Sequence, residues 1–162
     1  PGPTCSPPRR STTLPADLSF MVRYALLLMV IASGNVTAQQ SERFGPYELH
    51  YSVVNTTFLS PEVAASYGLV RGNQRAILNL AVREHTDSGS EPRAMQLKGR
   101  TWDLIQNQTL EFLEVREGEA VYYLADFKFI NEEWRFFEVD FRPEGSQETY
   151  TFELKHQLYE DE

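Results

Sequence analysis

Between Val121 and Phe141 the chain alternates: Val121, Tyr123, Ala125, Phe127 and Phe129 occupy every second position, and Phe137, Val139 and Phe141 do so again. Successive side chains of a strand point to opposite faces, so each set lines one side of a strand, whereas a helix would scatter them around its axis. The intervening residues, Tyr122, Leu124, Asp126 and Lys128, then Phe136, Glu138, Asp140 and Arg142, are mostly polar and face outward. The link around Asn131-Glu-Glu133 is of hairpin length, and it predicts that these two strands pair with each other. Phe127 and Phe141 are predicted core positions.

The same signal recurs. Tyr47, Leu49, Tyr51 and Val53 share one face of a predicted strand, and further runs cover Ala76 to Val82, Met95 to Leu97, Thr101 to Leu104, Leu110 to Val115, Phe136 to Phe141 and Tyr150 to Leu154. Turn-forming stretches separate them, notably Asp87-Ser-Gly-Ser-Glu-Pro92, Asn107, Glu117-Gly118, Asn131 and Pro143-Glu-Gly-Ser146. About seven short strands in one domain predict an all-β antiparallel sandwich or barrel. One segment departs from the pattern. Ser60 as N-cap, Pro61 at the first helical position, Glu62 in the first turn and Gly68 as a stop predict one short helix over Ser60 to Tyr67.

Upstream, Met21 to Ala38 has the three parts of a secretory signal peptide: Arg23 as the positive start, Tyr24 to Ala32 as an apolar run, and Val36-Thr-Ala38 as a small-x-small cleavage site. Export to the periplasm with cleavage after Ala38 is expected. Residues 1–20, rich in proline and without periodicity, read as sequence upstream of a start at Met21 or as an unstructured extension, and residues 39–162 as a single domain.

From Gln39 onward there are 12 Lys and Arg against 22 Asp and Glu, a net charge of −10. Such a surface repels polyanions, so neither nucleic acid nor anionic lipid is expected as a partner. The single cysteine, Cys5, precedes the signal segment. No thiol is therefore available downstream for a disulfide, a nucleophile or a lipid anchor, and no stable membrane anchor is expected after cleavage. His50, His85 and His156 are far apart and form no metal-binding spacing, so neither a metal nor a cofactor is implied. The G-x-S-x-G elbow of acyl-transfer enzymes is also missing.

Two features point to binding instead. Arg71 and Arg75, in Tyr67-Gly-Leu-Val-Arg-Gly-Asn-Gln-Arg75, put cationic forks into an acidic chain, where they could clasp a carboxylate or phosphate or could neutralise Glu62 or Glu84. Tyr122 and Phe136 are outward-facing aromatics on strands predicted to pair, a candidate partner surface.

The runs Phe44-Gly-Pro-Tyr-Glu-Leu-His-Tyr51, Phe58-Leu-Ser-Pro-Glu-Val-Ala-Ala-Ser-Tyr-Gly-Leu-Val-Arg71, Asn79 within Ile77 to Val82, and Glu117-Gly-Glu-Ala-Val-Tyr-Tyr123 resemble domain-of-unknown-function family 4426, small exported proteins of gammaproteobacteria. The resemblance covers nearly all of the exported domain. It implies an immunoglobulin-like sandwich in the cell envelope and assigns no activity.

The expected function is a non-enzymatic module that binds a protein or another envelope component. The alternative is a small periplasmic hydrolase whose site is assembled from a distant histidine, carboxylate and nucleophile.

Overall fold

A computed structural model describes residues 40–161. The expected leader and signal segment lie outside them. The strands are β1 (Gln40–Phe44), β2 (Tyr47–Asn55), β3 (Arg75–Thr86), β4 (Gly89–Arg93), β5 (Met95–Trp102), β6 (Asn107–Leu110), β7 (Leu113–Glu117), β8 (Ala120–Lys128), β9 (Glu133–Pro143) and β10 (Tyr150–Leu158). One sheet has the order β1-β2-β3-β8-β7, with β4 also on β3; the other has the order β10-β9-β5-β6. Every pairing is antiparallel. The long β3 divides one edge, giving its first half to β8 and its last residues to β4.

The two sheets face each other as an immunoglobulin-like sandwich, and the alternating residues meet between them. Phe127 of β8 touches Phe137 of β9 with ring centroids 5.1 Å apart, Phe44 of β1 meets Phe141 of β9 at 5.0 Å, and Tyr51 of β2 meets Phe152 of β10 at 4.7 Å. Edge-to-face and tilted pairs at these separations are the favoured aromatic geometries. The predicted inward sets of β8 and β9 are all buried.

The predicted hairpin between those strands is not formed. β8 belongs to the first sheet and β9 to the second, so residues 129–132 form an arch across the sandwich. Both strands carry a continuous apolar face. Opposing those faces across the core buries both, which side-by-side pairing alone would not do. Glu133 braces the arch: its Oε2 accepts from the Ile130 amide at 2.7 Å, and Glu132 takes a left-handed conformation with φ of 62°. The run from Leu110 to Val115, expected as one strand, is likewise divided. Its first part is the end of β6 in one sheet and its last part lies in β7 of the other. Phe112, at the crossing, packs where a Cβ on Gly99 would stand 3.0 Å from its ring, so a side chain at Gly99 would displace it. The predicted strand from Thr101 stops at Trp102 rather than Leu104, because Asp103 Oδ1 accepts from the amides of Ile105 and Gln106 at 2.5 and 2.6 Å and turns the chain. Conversely β3 continues beyond the predicted Val82 through His85 to Thr86.

The helix α1 (Pro61–Ser66) is observed with the predicted cap, Ser60 Oγ accepting from Val63 N at 3.2 Å. It lies in the connection from β2 to β3, after a 3-10 turn at Thr56–Phe58. The strand registers turn Ile77 and Val115 away from the core, yet they are only 4% and 8% exposed. This connection covers that outer face, and the Tyr67 hydroxyl ties it to Glu117 at 2.6 Å.

Candidate functional site

The registers place the end of β2, the start of β3, the ends of β5, β8 and β10 and the start of β9 at one end of the sandwich. This arch end reverses the ordinary distribution of side chains. Phe58, Leu104, Ile105, Ile130, Trp134 and Tyr159 are exposed there, Leu104 at 99% and Ile105 at 88%. Inside the same end sits a charged cluster. Arg135 is an inward residue of β9, 2% exposed, with Nη2 3.2 Å from Asp103 Oδ2 and 3.1 Å from Glu133 Oε1. Its guanidinium lies 5.9 Å from the Phe127 ring centre, and its Nε and Nη1 have no hydrogen-bond partner among the described residues.

The two carboxyls divide in character. Burial pushes Asp103 up, but hydrogen bonds from Glu133 and from the Gln106 and Ile105 amides, together with the charge of Arg135, outweigh it and hold Asp103 below its ordinary value. Burial, then the hydrogen bond shared with Asp103, holds Glu133 above its ordinary value. Burial and the neighbouring carboxyl thus favour the protonated form of Glu133, while the amides and the guanidinium favour the ionised form of Asp103. His156, paired in register with Arg135, is held below its ordinary value by burial.

The exposed aromatics continue onto the outer face of the β10-β9-β5-β6 sheet. Trp102, Phe136 and Lys155 are consecutive cross-strand neighbours on β5, β9 and β10. The Trp102 and Phe136 rings stack at 5.8 Å and 16°. Lys155 Nζ lies 4.5 Å from the Trp134 ring centre and 5.4 Å from that of Phe136, and the Arg100 guanidinium lies 4.8 Å from Trp102 while also pairing with Glu138. Cations and rings therefore alternate along this face.

Of the residues selected from sequence, Phe136 is in this row. Tyr122 is on the outer face of the opposite sheet, so the two aromatics do not form one surface. Arg75 is ion-paired with Asp126, not with Glu84, which binds Arg93. Arg71 donates to the Thr57 carbonyl at 2.9 Å, with Glu62 nearby. Arg75, Gly72, Gln74, Lys128 and Glu160 line an open cleft of ≈ 510 Å³ that Arg71 does not reach. Sequence reading passed over Trp102, Trp134, Lys155 and the Leu104-Ile105 pair. An apolar pair directly after a turn-forming Asp was the available signal.

Among the described residues no hydrogen bond joins a serine to a histidine. His85 Nε2 is 2.6 Å from Glu48 Oε2, but Ser41 Oγ donates to the same carboxylate at 2.7 Å rather than to the imidazole. A hydrolase needs the serine on the histidine and the carboxylate behind it. His50 Nδ1 has no hydrogen-bond partner among the described residues.

The model of a domain of unknown function, DUF4426, matches residues 41–161. Among solved structures, a DUF4426 family protein from Pseudomonas aeruginosa PAO1 is 31% identical, with a TM-score of 0.68, covering 78% of this chain and 99% of that one. FetP from uropathogenic E. coli strain F11 is 9% identical, with a TM-score of 0.56, over 77% of this chain and 96% of that one. A copper-bound FetP variant is 9% identical, with a TM-score of 0.55, over 76% and 96%. At that identity the FetP likeness concerns the fold alone. No curated protein matches the chain.

Proposed function

This chain belongs to the DUF4426 family, and from that premise we propose that it is a non-enzymatic binding module of the periplasm that engages a protein partner at the arch end of its sandwich. The observation that carries this reading is the inversion at that end, with Leu104 and Ile105 in solvent while Arg135, 2% exposed, pairs with the half-buried Asp103. Exposed aliphatic side chains gain nothing for the isolated fold, whereas a partner that covers them removes apolar area from water at roughly 25 cal/mol per Å². Trp102, Trp134 and Arg100 beside them are residue types that dominate binding energy at protein interfaces. The net charge of −10 weighs against an anionic lipid surface as the occupant.

The periplasmic assignment rests on the signal segment Met21 to Ala38. The protein recovered by osmotic shock is expected to begin at Gln39, and deletion of residues 21–38 is expected to retain it in the cytoplasm. Copper binding is not carried over from FetP: among the described residues no group of three or more His, Cys, Asp or Glu could hold a metal ion.

Photo-crosslinking residues placed at Ile105 and, at the other end, at Ser146 test the reading in cells. A defined protein adduct is expected from Ile105, lost when Leu104→Glu is added, with none from Ser146. Equal adducts from both positions, or an Ile105 adduct that survives Leu104→Glu, would reject it.

A further inference from the structure

β10 is an edge strand. Its nine residues pair with β9 on one side and, among the described residues, with no strand on the other. Among the described residues, no backbone hydrogen bond outside the sheets engages residues 150–158. An edge this long presents an unused ladder, and proteins ordinarily shield one with proline, a bulge or covering chain. β1, β4 and β7 have five residues each and β6 four, so β10 is the one long edge among the described strands.

Its outward side chains are Thr151, Glu153, Lys155 and Gln157. Glu153 and Lys155 enter no ion pair among the described residues. Glu153 instead has the like-charged Glu138 as its neighbour on β9. Consider β10 set antiparallel against β10 of a second copy. Side chains of one face must stay on that face across the junction, so the twofold axis passes through a residue rather than between two. Centring on Glu153 would put Glu153 against itself, and centring on Lys155 would put Lys155 against itself. Centring on Leu154 overlaps the full nine residues and sets Glu153 against Lys155 of the second copy at two symmetric positions, with Thr151 against Gln157. The register that pairs the most backbone is also the one that pairs opposite charges, and its neighbours on either side are repulsive.

We propose that the protein forms a twofold-symmetric dimer through antiparallel pairing of β10 with β10 of a second copy, centred on Leu154. The two four-stranded sheets become one of eight. The contact is isologous and closes on itself, so it yields dimers rather than filaments. Each copy's row of Trp102, Phe136 and Lys155 then continues into Glu153, Glu138 and Arg100 of the other, and the unpaired Glu153 gains a cation.

Charge exchange tests this directly, using protein purified from cells expressing the full chain and sedimentation analysed over a dilution series. The wild type is expected to pass from monomer to dimer as concentration rises. Lys155→Glu and Glu153→Lys each set like charges at both symmetric positions and are expected to weaken the dimer roughly tenfold or more. An equimolar mixture of the two variants restores opposite charges at both positions and should recover dimers, as should Glu153→Lys combined with Lys155→Glu in one chain. Recovery from the same two preparations also shows that each variant is folded. A wild type that stays monomeric throughout, single variants that dimerise like the wild type, or a mixture that does not recover would each overturn the proposal. None of these outcomes bears on the Ile105 adduct, so the dimer and the arch-end reading can fail separately.

Discussion

The arch end and the opposite end of the sandwich are built from the same strands and differ in what they keep inside. The hairpins β1-β2, β3-β4, β7-β8 and β9-β10 turn at the opposite end, where Asp87, Glu119, Glu144 and Glu148 are exposed in the turns and the inward residues are apolar. At the arch end the interior holds Arg135, flanked by the half-buried Asp103 and Glu133, while Leu104 and Ile105 are in water. The hairpin end follows the distribution that stabilises a soluble domain. The arch end departs from it in both directions, and departures of that kind concentrate where a protein serves something other than its own stability.

The largest expected effects ask whether the hydrophobic core distinguishes the ends. Phe127 lies toward the arch and Phe141 toward the hairpins, both fully buried. Truncation of either to Ala is expected to cost about 3–5 kcal/mol in denaturant unfolding. Equal losses confine the contrast to the charged groups. A near-zero loss for one would mean that the core itself is uneven.

The charged groups come next. Arg135→Ala leaves the half-buried Asp103 and Glu133 without their cation and opens a cavity in the core, and is expected to cost about 3–5 kcal/mol, whereas Arg135→Met, which removes the charge but fills the space, should cost less. At the hairpin end Arg142 is exposed and bonds only to Gln96 among the described residues, so Arg142→Ala should stay within about 0.5 kcal/mol. Similar losses for Arg135→Ala and Arg142→Ala in the same unfolding assay would dissolve the contrast.

Most of the hairpin end was legible in the sequence and little of the arch end was. Alternation identified the inward faces of β8 and β9 because it depends only on the period of a strand. It could not say which sheet each strand joins, since a four-residue link serves a hairpin or an arch equally well, and the choice between them is made by burial of Phe127 against Phe137. The same limit hid the candidate site. Arg135 occupies an inward position on β9, but a lone Arg within an alternating run also reads as the strand's exposed beginning. Trp102 and Lys155 are 53 positions apart and become neighbours of Phe136 only through pairing with β9. The Arg71 and Arg75 stretch was legible as charge, not as a site, because the partner of Arg75 is Asp126, 51 residues away in sequence.

A smaller, pH-dependent effect sharpens the contrast. Glu133 is held above its ordinary value of 4.5, so the folded state binds its proton more tightly than the unfolded state does. The resulting stabilisation is present at pH values below the ordinary value and is lost as pH rises through the raised one. Glu133→Gln imitates the protonated form and does not titrate. Its melting temperature relative to wild type should therefore climb between pH 4.5 and 7.5. Asp103, held below its ordinary value of 3.8, titrates beneath that window, and His156 is present in both proteins. A constant difference in melting temperature across the window would show that the folded state binds the Glu133 proton no more tightly than the unfolded chain does.

The smallest expected change in stability carries the most information about what the arch end is for. Leu104 and Ile105 contact too little of the fold to support it, so Leu104→Ser with Ile105→Ser should shift unfolding by no more than about 0.5 kcal/mol. Leu110, six residues beyond Leu104 and 4% exposed, should lose about 2–5 kcal/mol on truncation to Ala. If the arch end is the binding end, a photo-crosslinking residue placed at Ile130 gives an adduct that the Ser pair abolishes while leaving the melt unchanged, and Leu110→Ala lowers the melt without changing that adduct at temperatures where it is folded. The opposite assignment, a large stability loss for the Ser pair, would mean that Leu104 and Ile105 pack against the fold in solution and that the arch end is an ordinary core margin.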